Sequence, residues 1–267
     1  MFYFAGKPIT EMLTHTCPNC NNEYVGNFCN NCGQKQAHRI TMHSIWHDLI
    51  HAFTHTDKGF FYMIGQLFMH PGKVAYEYIV EAKRKKYFPP FQYLIIIGAV
   101  TTFIVATSHY MENAILAMNE ATGTQGAYSA KQIDLINKVT AFQNKYFNIM
   151  LLLQLPFFAL ASYWLYKKKK YNYAELLTLQ TFVNGQTTII TLVTMVLMTI
   201  TQLNLLKMSI ISLAISAAYQ VITFTGFFNE KNISGVLKAI ASYLIGLLLS
   251  FIFIGLIFIL IIKLFYQ

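Results

Sequence analysis

The sequence is poor in charge, and above all in negative charge. Only 12% of its 267 residues are charged, whereas soluble proteins average about 25%. Only 11 residues are acidic against 20 lysines and arginines, which gives a formal net charge of +9. Hydrophobic residues make up 55% of the chain, and its mean hydropathy is +0.43. This balance excludes an ordinary soluble domain and is typical of a multispanning membrane protein.

The first residues, MFYFAG, lack the features of a cleavable signal peptide. A basic leader is missing, and so is an apolar core of about 7 to 15 residues that ends in small ones. We therefore expect the first membrane span to direct insertion, which argues against a secreted or single-span protein.

The sequence also lacks the patterns of common catalytic sites. It contains no nucleophile with a neighbouring base, no HExxH motif and no glycine-rich phosphate loop. Its basic blocks lie beside apolar segments, so nucleic-acid binding is not needed to explain them. We therefore predict a protein without enzymatic activity.

Five long apolar runs fill the region 91–267. Each reaches or nearly reaches the roughly 20 residues that a helix needs to cross a hydrocarbon layer of about 30 Å. We predict an all-α polytopic membrane protein with five transmembrane helices and an outer segment at 110–146. The predicted spans are at about 91–109, 147–166, 176–201, 205–228 and 236–262.

Two basic blocks lie directly beside predicted spans. They are Lys83, Arg84, Lys85 and Lys86, and Lys167, Lys168, Lys169 and Lys170. Basic residues near span ends stay on the cytoplasmic side, so two crossings between the blocks place both there. The N-terminus is then cytoplasmic and the C-terminus outside. The same cations attract anionic headgroups of the bilayer, either generally or at a specific lipid site.

All four cysteines lie in two CxxC pairs separated by eight residues: Cys17, Cys20, Cys29 and Cys32. Such pairs form the two knuckles of a tetrahedral zinc site. Because structural disulfides are rare in the cytoplasm, we favour zinc over two disulfides or a redox pair. Four thiolates leave no open position, so we expect one structural zinc ion per chain in a small ribbon at residues 1–38.

Residues 39–90 are predicted to form amphipathic or interfacial helices followed by the first basic block. Within 41–55, four histidines recur every four residues opposite an apolar face: His43, His47, His51 and His55. Imidazoles one turn apart can share a second metal ion or sense pH. The alternative is the solvated face of an amphipathic helix. The apolar stretch between Gly59 and Pro71 is too short to span a membrane.

The third predicted span carries a polar face at intervals of four and three residues: Gln180, Asn184, Thr187, Thr191 and Thr194. Polar amides are costly in hydrocarbon, so this face should point into the protein. Two interpretations fit it. It lines a hydrophilic path, or it makes hydrogen bonds between helices and back to its own backbone.

Four stretches, in this order, resemble the bacterial domain-of-unknown-function family 3667: CPNCNNEYVGNFCNNCGQ, HTDKGFFYMIGQLFMHPG, EYIVEAKRKKYFPPFQYL and YNYAELLTLQTFVNGQ. The resemblance covers about residues 15–200. It implies a bacterial cytoplasmic (inner) membrane protein with an N-terminal zinc ribbon, and no established activity. It also implies a glycine before the first basic block, where this chain has Ala82.

From these features we expect an integral membrane scaffold. Its ribbon and interfacial helices would dock a membrane protein partner or a second protomer of a homo-oligomer. The alternative is a channel, scramblase or transporter with a path along the third span. An intramembrane enzyme acting on lipid is a third hypothesis. We expect the lipid bilayer as an environment and no nucleic acid as a partner.

Overall fold

The computed structural model describes residues 14–45, 59–108, 130–201 and 205–265. Two short strands come first, β1 (Thr14–Thr16) and β2 (Glu23–Val25), and they pair antiparallel. The helices follow in chain order: α1 (Gly59–Met69), α2 (Pro71–Ile79), α3 (Pro90–Thr107), α4 (Ala130–Leu165), α5 (Tyr173–Thr201), α6 (Leu205–Phe228) and α7 (Ile233–Phe265). The two basic blocks contain short 3-10 turns at Arg84–Lys86 and Lys167–Lys169.

Four helical segments are long and apolar enough to cross a membrane. They are Arg84–Thr107, Asn148–Leu165, Ser209–Phe228 and Ile233–Leu260. They match the first, second, fourth and fifth spans predicted from the sequence. The chain is therefore a mostly helical, multi-pass membrane protein. The predicted third span is present as helix α5 but is not among the four segments, so the count of five spans stays a prediction.

Helix α5 lies in the centre of the bundle. It packs against α1, α2, α3, α4 and α6, and every residue from 174 to 183 is buried. The amides and hydroxyls of α5 lower its hydropathy, but protein rather than lipid surrounds its first half. Helix α7 shows the opposite arrangement, because only 17% of its most apolar window is buried. The most apolar helix thus lies at the periphery, and a polar one lies inside.

Helix α2 packs against the last turns of α6. Pro71 occupies the first turn of α2, where its missing N–H has no helical partner to lose. At Gly72 the two backbones approach so closely that an added Cβ would lie 2.7 Å from the Cα of Gly226. Tyr219 in α6 donates a hydrogen bond of 3.1 Å to the carbonyl of Leu67 in α1. The region predicted to be interfacial is therefore fastened to the spanning helices.

Both basic blocks lie at the same end of the helices, called the basic end below. Arg84 of the first block and Lys169 and Lys170 of the second line one cavity there. Lys169 Nζ also lies 2.8 Å from a carboxylate oxygen of Glu230, in the turn between α6 and α7. This placement agrees with the even number of crossings predicted between the two blocks.

Gly72 provides a test of the packing between α2 and α6. We expect Gly72→Ala to destabilise the protein by about 1–3 kcal/mol, because the new methyl group meets backbone atoms that cannot rotate away. Gly65→Ala in α1 is the matched control, since nothing lies within 4 Å of its Cβ position. That control should be neutral or stabilising by up to about 1 kcal/mol. Thermal unfolding in detergent measures both, and equal Tm values for the two variants would contradict the close approach.

Candidate functional site

The four cysteine sulfurs form a compact cluster. Cys17 Sγ lies 3.5 Å from Cys32 Sγ, Cys20 Sγ lies 3.6 Å from Cys29 Sγ, and all four lie within 4.8 Å of one another. Four sulfurs held about 2.3 Å from a central zinc ion would be about 3.8 Å apart at the corners of a regular tetrahedron. None of the four forms a disulfide. The cluster therefore has a geometry in which a tetrahedral metal ion fits.

The two CxxC pairs have the same backbone geometry. The N–H of Cys17 donates to the carbonyl of Asn22, and the N–H of Asn21 donates back to the carbonyl of Cys17. The second pair repeats this pattern: the N–H of Cys29 donates to the carbonyl of Gln34, and the N–H of Gly33 donates to the carbonyl of Cys29. Asn21 and Gly33 follow the second cysteine of each pair and have φ values of 59° and 70°, a region open to asparagine and glycine. Each pair is thus a tight knuckle that directs two sulfurs inward.

The thiols of the cluster differ in acidity. A backbone hydrogen bond from Cys32 lowers the pKa of Cys29 to about 6, whereas burial raises the pKa of Cys17 to about 11. Four thiolates so close together repel one another, so full ionisation requires a cation between them. A bound metal ion supplies that positive charge and deprotonates its ligands.

Gln34 attaches the second knuckle to the helices. Its backbone carbonyl accepts the N–H of Cys29 at 2.8 Å. Its side chain is 4% exposed, donates to the carbonyl of Ala82 at 2.9 Å and accepts the N–H of Lys85 at 3.1 Å. Ala82 has a φ of 56°, in the left-handed region that favours glycine. This conformation gives a physical reason for the glycine that the family resemblance implies there.

Arg39 attaches the next part of the chain, the ribbon linker (residues 34–40), to the start of α5. Its Nε and Nη2 lie 2.6 and 2.9 Å from the two carboxylate oxygens of Glu175, and Nη2 also donates to the carbonyl of Lys170. The hydrogen bonding to Glu175 and the negative charge of its carboxylate raise the pKa of Arg39. Bidentate pairs of this kind are among the strongest charge-assisted hydrogen bonds.

Asn172 and Glu175 also cap helix α5. The N–H of Glu175 donates to Asn172 Oδ1 and the N–H of Asn172 donates to Glu175 Oε2, both at 2.8 Å. This reciprocal pattern is a capping box, here with asparagine as the first residue. Asn172 Nδ2 further donates to the carbonyl of Ile40 at 2.9 Å. The same two side chains therefore begin the central helix and hold the ribbon linker.

Several cations of the basic blocks are paired with carboxylates. Lys86 Nζ lies 2.6 Å from an oxygen of the buried Glu77, and Lys83 Nζ lies 2.6 Å from Glu81. Glu230 contacts both Lys169 and Lys238, and the hydrogen bond from Lys169 lowers the pKa of Glu230. These cations thus also stabilise the fold, a role that their sequence pattern does not predict.

The predicted histidine face falls mostly outside the described residues. His43 lies in a helical turn at 42–45 and is exposed. His47, His51 and His55 belong to the part of the chain that the structure does not describe. A second metal or pH-sensing site at these four histidines stays a prediction.

The predicted polar face of α5 makes hydrogen bonds within the bundle. Gln180 is fully buried, and its Nε2 donates to Ser162 Oγ at 2.8 Å. Ser162 Oγ in turn lies 2.9 Å from Ser242 Oγ, which links α5, α4 and α7. Asn184 Nδ2 donates to the carbonyl of Gln180 at 2.9 Å. These contacts match the interpretation in which the face stabilises packing between helices.

A cavity of about 310 Å³ lies beside the other part of this face. Asn184, Thr187 and Thr191 line it, whereas Gln180 and Thr194 do not. Serines of α6 and Gln154 of α4 contribute further polar groups to its wall. The structure therefore brings three of the five predicted path residues to one polar cavity.

Two buried glutamines were not predicted as site residues. Gln186 accepts a hydrogen bond of 2.6 Å from the hydroxyl of Tyr93. Gln220 is fully buried, and neither its Nε2 nor its Oε1 has a partner among the described residues. A glutamine inside an apolar run is the signal in the sequence, because a buried amide requires hydrogen-bond partners.

Part of the chain matches a known family model. A family model described as "Protein of unknown function (DUF3667)" matches residues 57–102. That range covers α1, α2, the first basic block and most of α3. No curated protein and no solved structure matches the chain. Over residues 57–102 the match confirms the resemblance seen in the sequence, and the function of that family is unknown.

Proposed function

We propose that this protein is a non-enzymatic membrane scaffold whose ribbon binds a structural zinc ion and docks a protein partner. One observation carries the proposal. The ribbon is attached to the helices through Gln34 and Arg39, while two of its apolar side chains, Val25 and Phe28, are 50% and 60% exposed.

Zinc is the metal that the cluster favours. It takes four thiolates in a tetrahedron without any preference from d-electrons, and the sulfur separations are close to those of such a site. A fully coordinated ion supports a structural rather than a catalytic role. Iron also accepts four thiolates, so metal analysis has to distinguish the two ions.

The attachment of the ribbon supports a docking role. A domain that is already held in place loses little freedom when a partner binds it. Val25 ends strand β2, and Phe28 follows three residues later, before the second knuckle. Exposed apolar side chains on a small domain are the usual anchors of protein interfaces, aromatic ones above all. The partner we propose is a protein with an apolar surface, either a second copy of this chain or another membrane protein.

We propose that the ribbon lies in the cytoplasm, because both basic blocks lie at the same end as the ribbon. The bacterial inner membrane is the location that the family resemblance implies. Helix α5 has 29 residues and is about 43 Å long, which exceeds the thickness of the hydrocarbon layer. Counting α5 as a crossing gives five spans, with the C-terminus outside.

Metal analysis tests the ribbon. We expect one zinc ion per chain in the protein extracted gently from its own membrane. Cys29→Ser should lose most of that zinc because it removes one thiolate and leaves the site open, whereas Asn30→Ser in the same knuckle should keep it. Native mass spectrometry combined with elemental analysis measures the ion and its stoichiometry. Iron in place of zinc, or no metal at all, would contradict this part of the proposal.

Photo-crosslinking in native membranes tests the docking surface. A photoreactive phenylalanine analogue at Phe28 should give a protein adduct, since this side chain is exposed on the attached ribbon. The same analogue at Leu248, an exposed position in α7, is the control for contact with lipid alone. The adduct should disappear in the Cys29→Ser background. Its mass identifies a second copy or another protein, and the absence of any protein adduct from Phe28 would refute docking there.

A channel or transporter is the second candidate, because the 310 Å³ cavity collects uncharged polar side chains from several helices. The observation that favours it is the position of Asn184, Thr187 and Thr191 in the cavity wall. A transporter that couples to ions normally has an ionisable residue at this depth, so an uncoupled path is the version we consider.

Flux through liposomes distinguishes the two candidates. If the cavity is part of a path, Asn184→Leu should abolish flux of small solutes or ions, because it replaces a polar wall by a bulky apolar one. Thr181→Val is the matched control: Thr181 is also buried in α5, bonds its own helix and does not line the cavity. Unchanged flux in Asn184→Leu, with the protein still folded, would exclude the path.

A further inference from the structure

A second cavity, of about 460 Å³, lies at the basic end. Three segments that are distant in sequence form it: the ribbon linker, the loop between α2 and α3, and the loop between α4 and α5. The polar side chains in its wall are His38, Arg39, Arg84, Lys169, Lys170, Tyr171 and Glu175. We propose that this cavity binds a phosphate group. The inference does not depend on the docking of a protein partner.

The wall of this cavity is strongly cationic. Arg39 and Arg84 are the only two arginines of the sequence, and both line it. With Lys169 and Lys170 they give four positive charges against one carboxylate, Glu175, a formal excess of three. Glu175 already accepts two hydrogen bonds from Arg39. Lys169 is paired with Glu230 at 2.8 Å, so Arg84 and Lys170 are the two wall cations left to bind an anion from outside the chain.

Arg84 has an unused donor at this place. One of its terminal nitrogens donates to the carbonyl of His38, which holds the guanidinium against the ribbon linker. Its Nε is buried and has no acceptor among the described residues. A buried N–H without an acceptor is costly, and a guanidinium binds oxyanions through two parallel N–H groups. Arg84 also lines the cavity, so its positive charge attracts a phosphate group that lies there.

Lys170 adds a second contact for the same anion. Its backbone is held by Arg39, which donates to its carbonyl at 2.9 Å, and by a hydrogen bond of 3.2 Å from its own N–H to Lys167. Its ammonium group has no hydrogen-bond or ion-pair partner among the described residues. A fixed backbone beside an unpaired charge favours binding, because less freedom is lost when the anion arrives.

The position of the cavity favours a phospholipid as the source of the phosphate. The first candidate span begins at Arg84, so this residue lies where the hydrocarbon layer ends and headgroups begin. The apolar side chains of Ile79 and Val80 are also part of the wall. Basic pockets of this kind, on the side that carries the positive charges, are typical headgroup sites. A soluble phosphate has the same chemistry, so the experiment has to separate the two sources.

Lipid titration of the full-length protein in detergent, followed by native mass spectrometry at physiological salt, tests this site. The probes are phosphatidylglycerol, diacylglycerol with the same acyl chains and no phosphate, and inorganic phosphate. We expect one tightly bound phosphatidylglycerol and no bound diacylglycerol. The double variant Arg84→Gln and Lys170→Gln should weaken binding at least about tenfold, since each cation contributes several-fold at a membrane surface.

The matched control removes two cations of the same block that do not line the cavity, Lys167→Gln and Lys168→Gln. It should change the affinity at most about threefold, because exposed charges are screened by salt. If the double variant does not fold, Lys170→Gln compared with Lys168→Gln carries the same test.

Each outcome of the titration has a definite meaning. Loss of phosphatidylglycerol only in the cavity variant assigns the site to a lipid phosphate. Binding of inorganic phosphate that displaces the lipid and is lost in the same variant assigns it to a soluble phosphate. Equal weakening by both charge pairs, or equal binding of diacylglycerol, would overturn the proposal, because the attraction would then be general rather than local.

Discussion

A polar helix cannot face hydrocarbon, and this constraint organises the molecule. Helix α5 carries amides and hydroxyls that need partners, so five other helices surround it. Ser162 of α4 bonds Gln180, and Ser242 of α7 extends that hydrogen-bond chain. The most apolar helix, α7, is then free to occupy the periphery. The beginning of α5 is also the point to which the ribbon linker is attached, through the pair of Arg39 and Glu175. The central helix therefore supports both the membrane part of the chain and the part outside it.

The basic end combines two functions that positive charge commonly serves separately. In many membrane proteins such residues only set the orientation of the spans. Here Lys86 and Lys169 also neutralise carboxylates that the fold has drawn inward, and the two arginines hold the ribbon linker. Arginine suits the contact with the ribbon linker better than lysine, because its planar guanidinium can bind one acceptor while its other N–H groups remain available for a second. The same residues thus contribute to topology, to stability and to the cationic wall of a cavity.

Sequence reasoning succeeded where the signal is local. Apolar runs predict four of the observed spanning segments, and the spacing of Cys17, Cys20, Cys29 and Cys32 predicts their cluster. It missed contacts between residues far apart in the chain, since no periodicity relates Arg39 to Glu175 or Gln34 to Ala82. The spacing of polar residues predicts the polar face of α5. That spacing could not reveal that Ser162 of α4 bonds Gln180, or that Ser242 of α7 bonds Ser162. Hydropathy alone also could not show whether α5 crosses the membrane, because a helix buried inside protein does not need an apolar composition.

The two roles of Gln34 have a thermodynamic consequence. Its backbone carbonyl belongs to the second CxxC knuckle, and its side chain contacts Ala82 and Lys85, beside and within the first basic block. A residue shared in this way links the two equilibria, so whatever orders the knuckle also favours the attached state. If the proposed ion binds the cysteines, detachment of the ribbon weakens its binding by the same free energy. The ribbon would then act as a reporter of its own metal occupancy. Loss of the proposed ion would then alter the surface that the ribbon presents without altering the amount of protein.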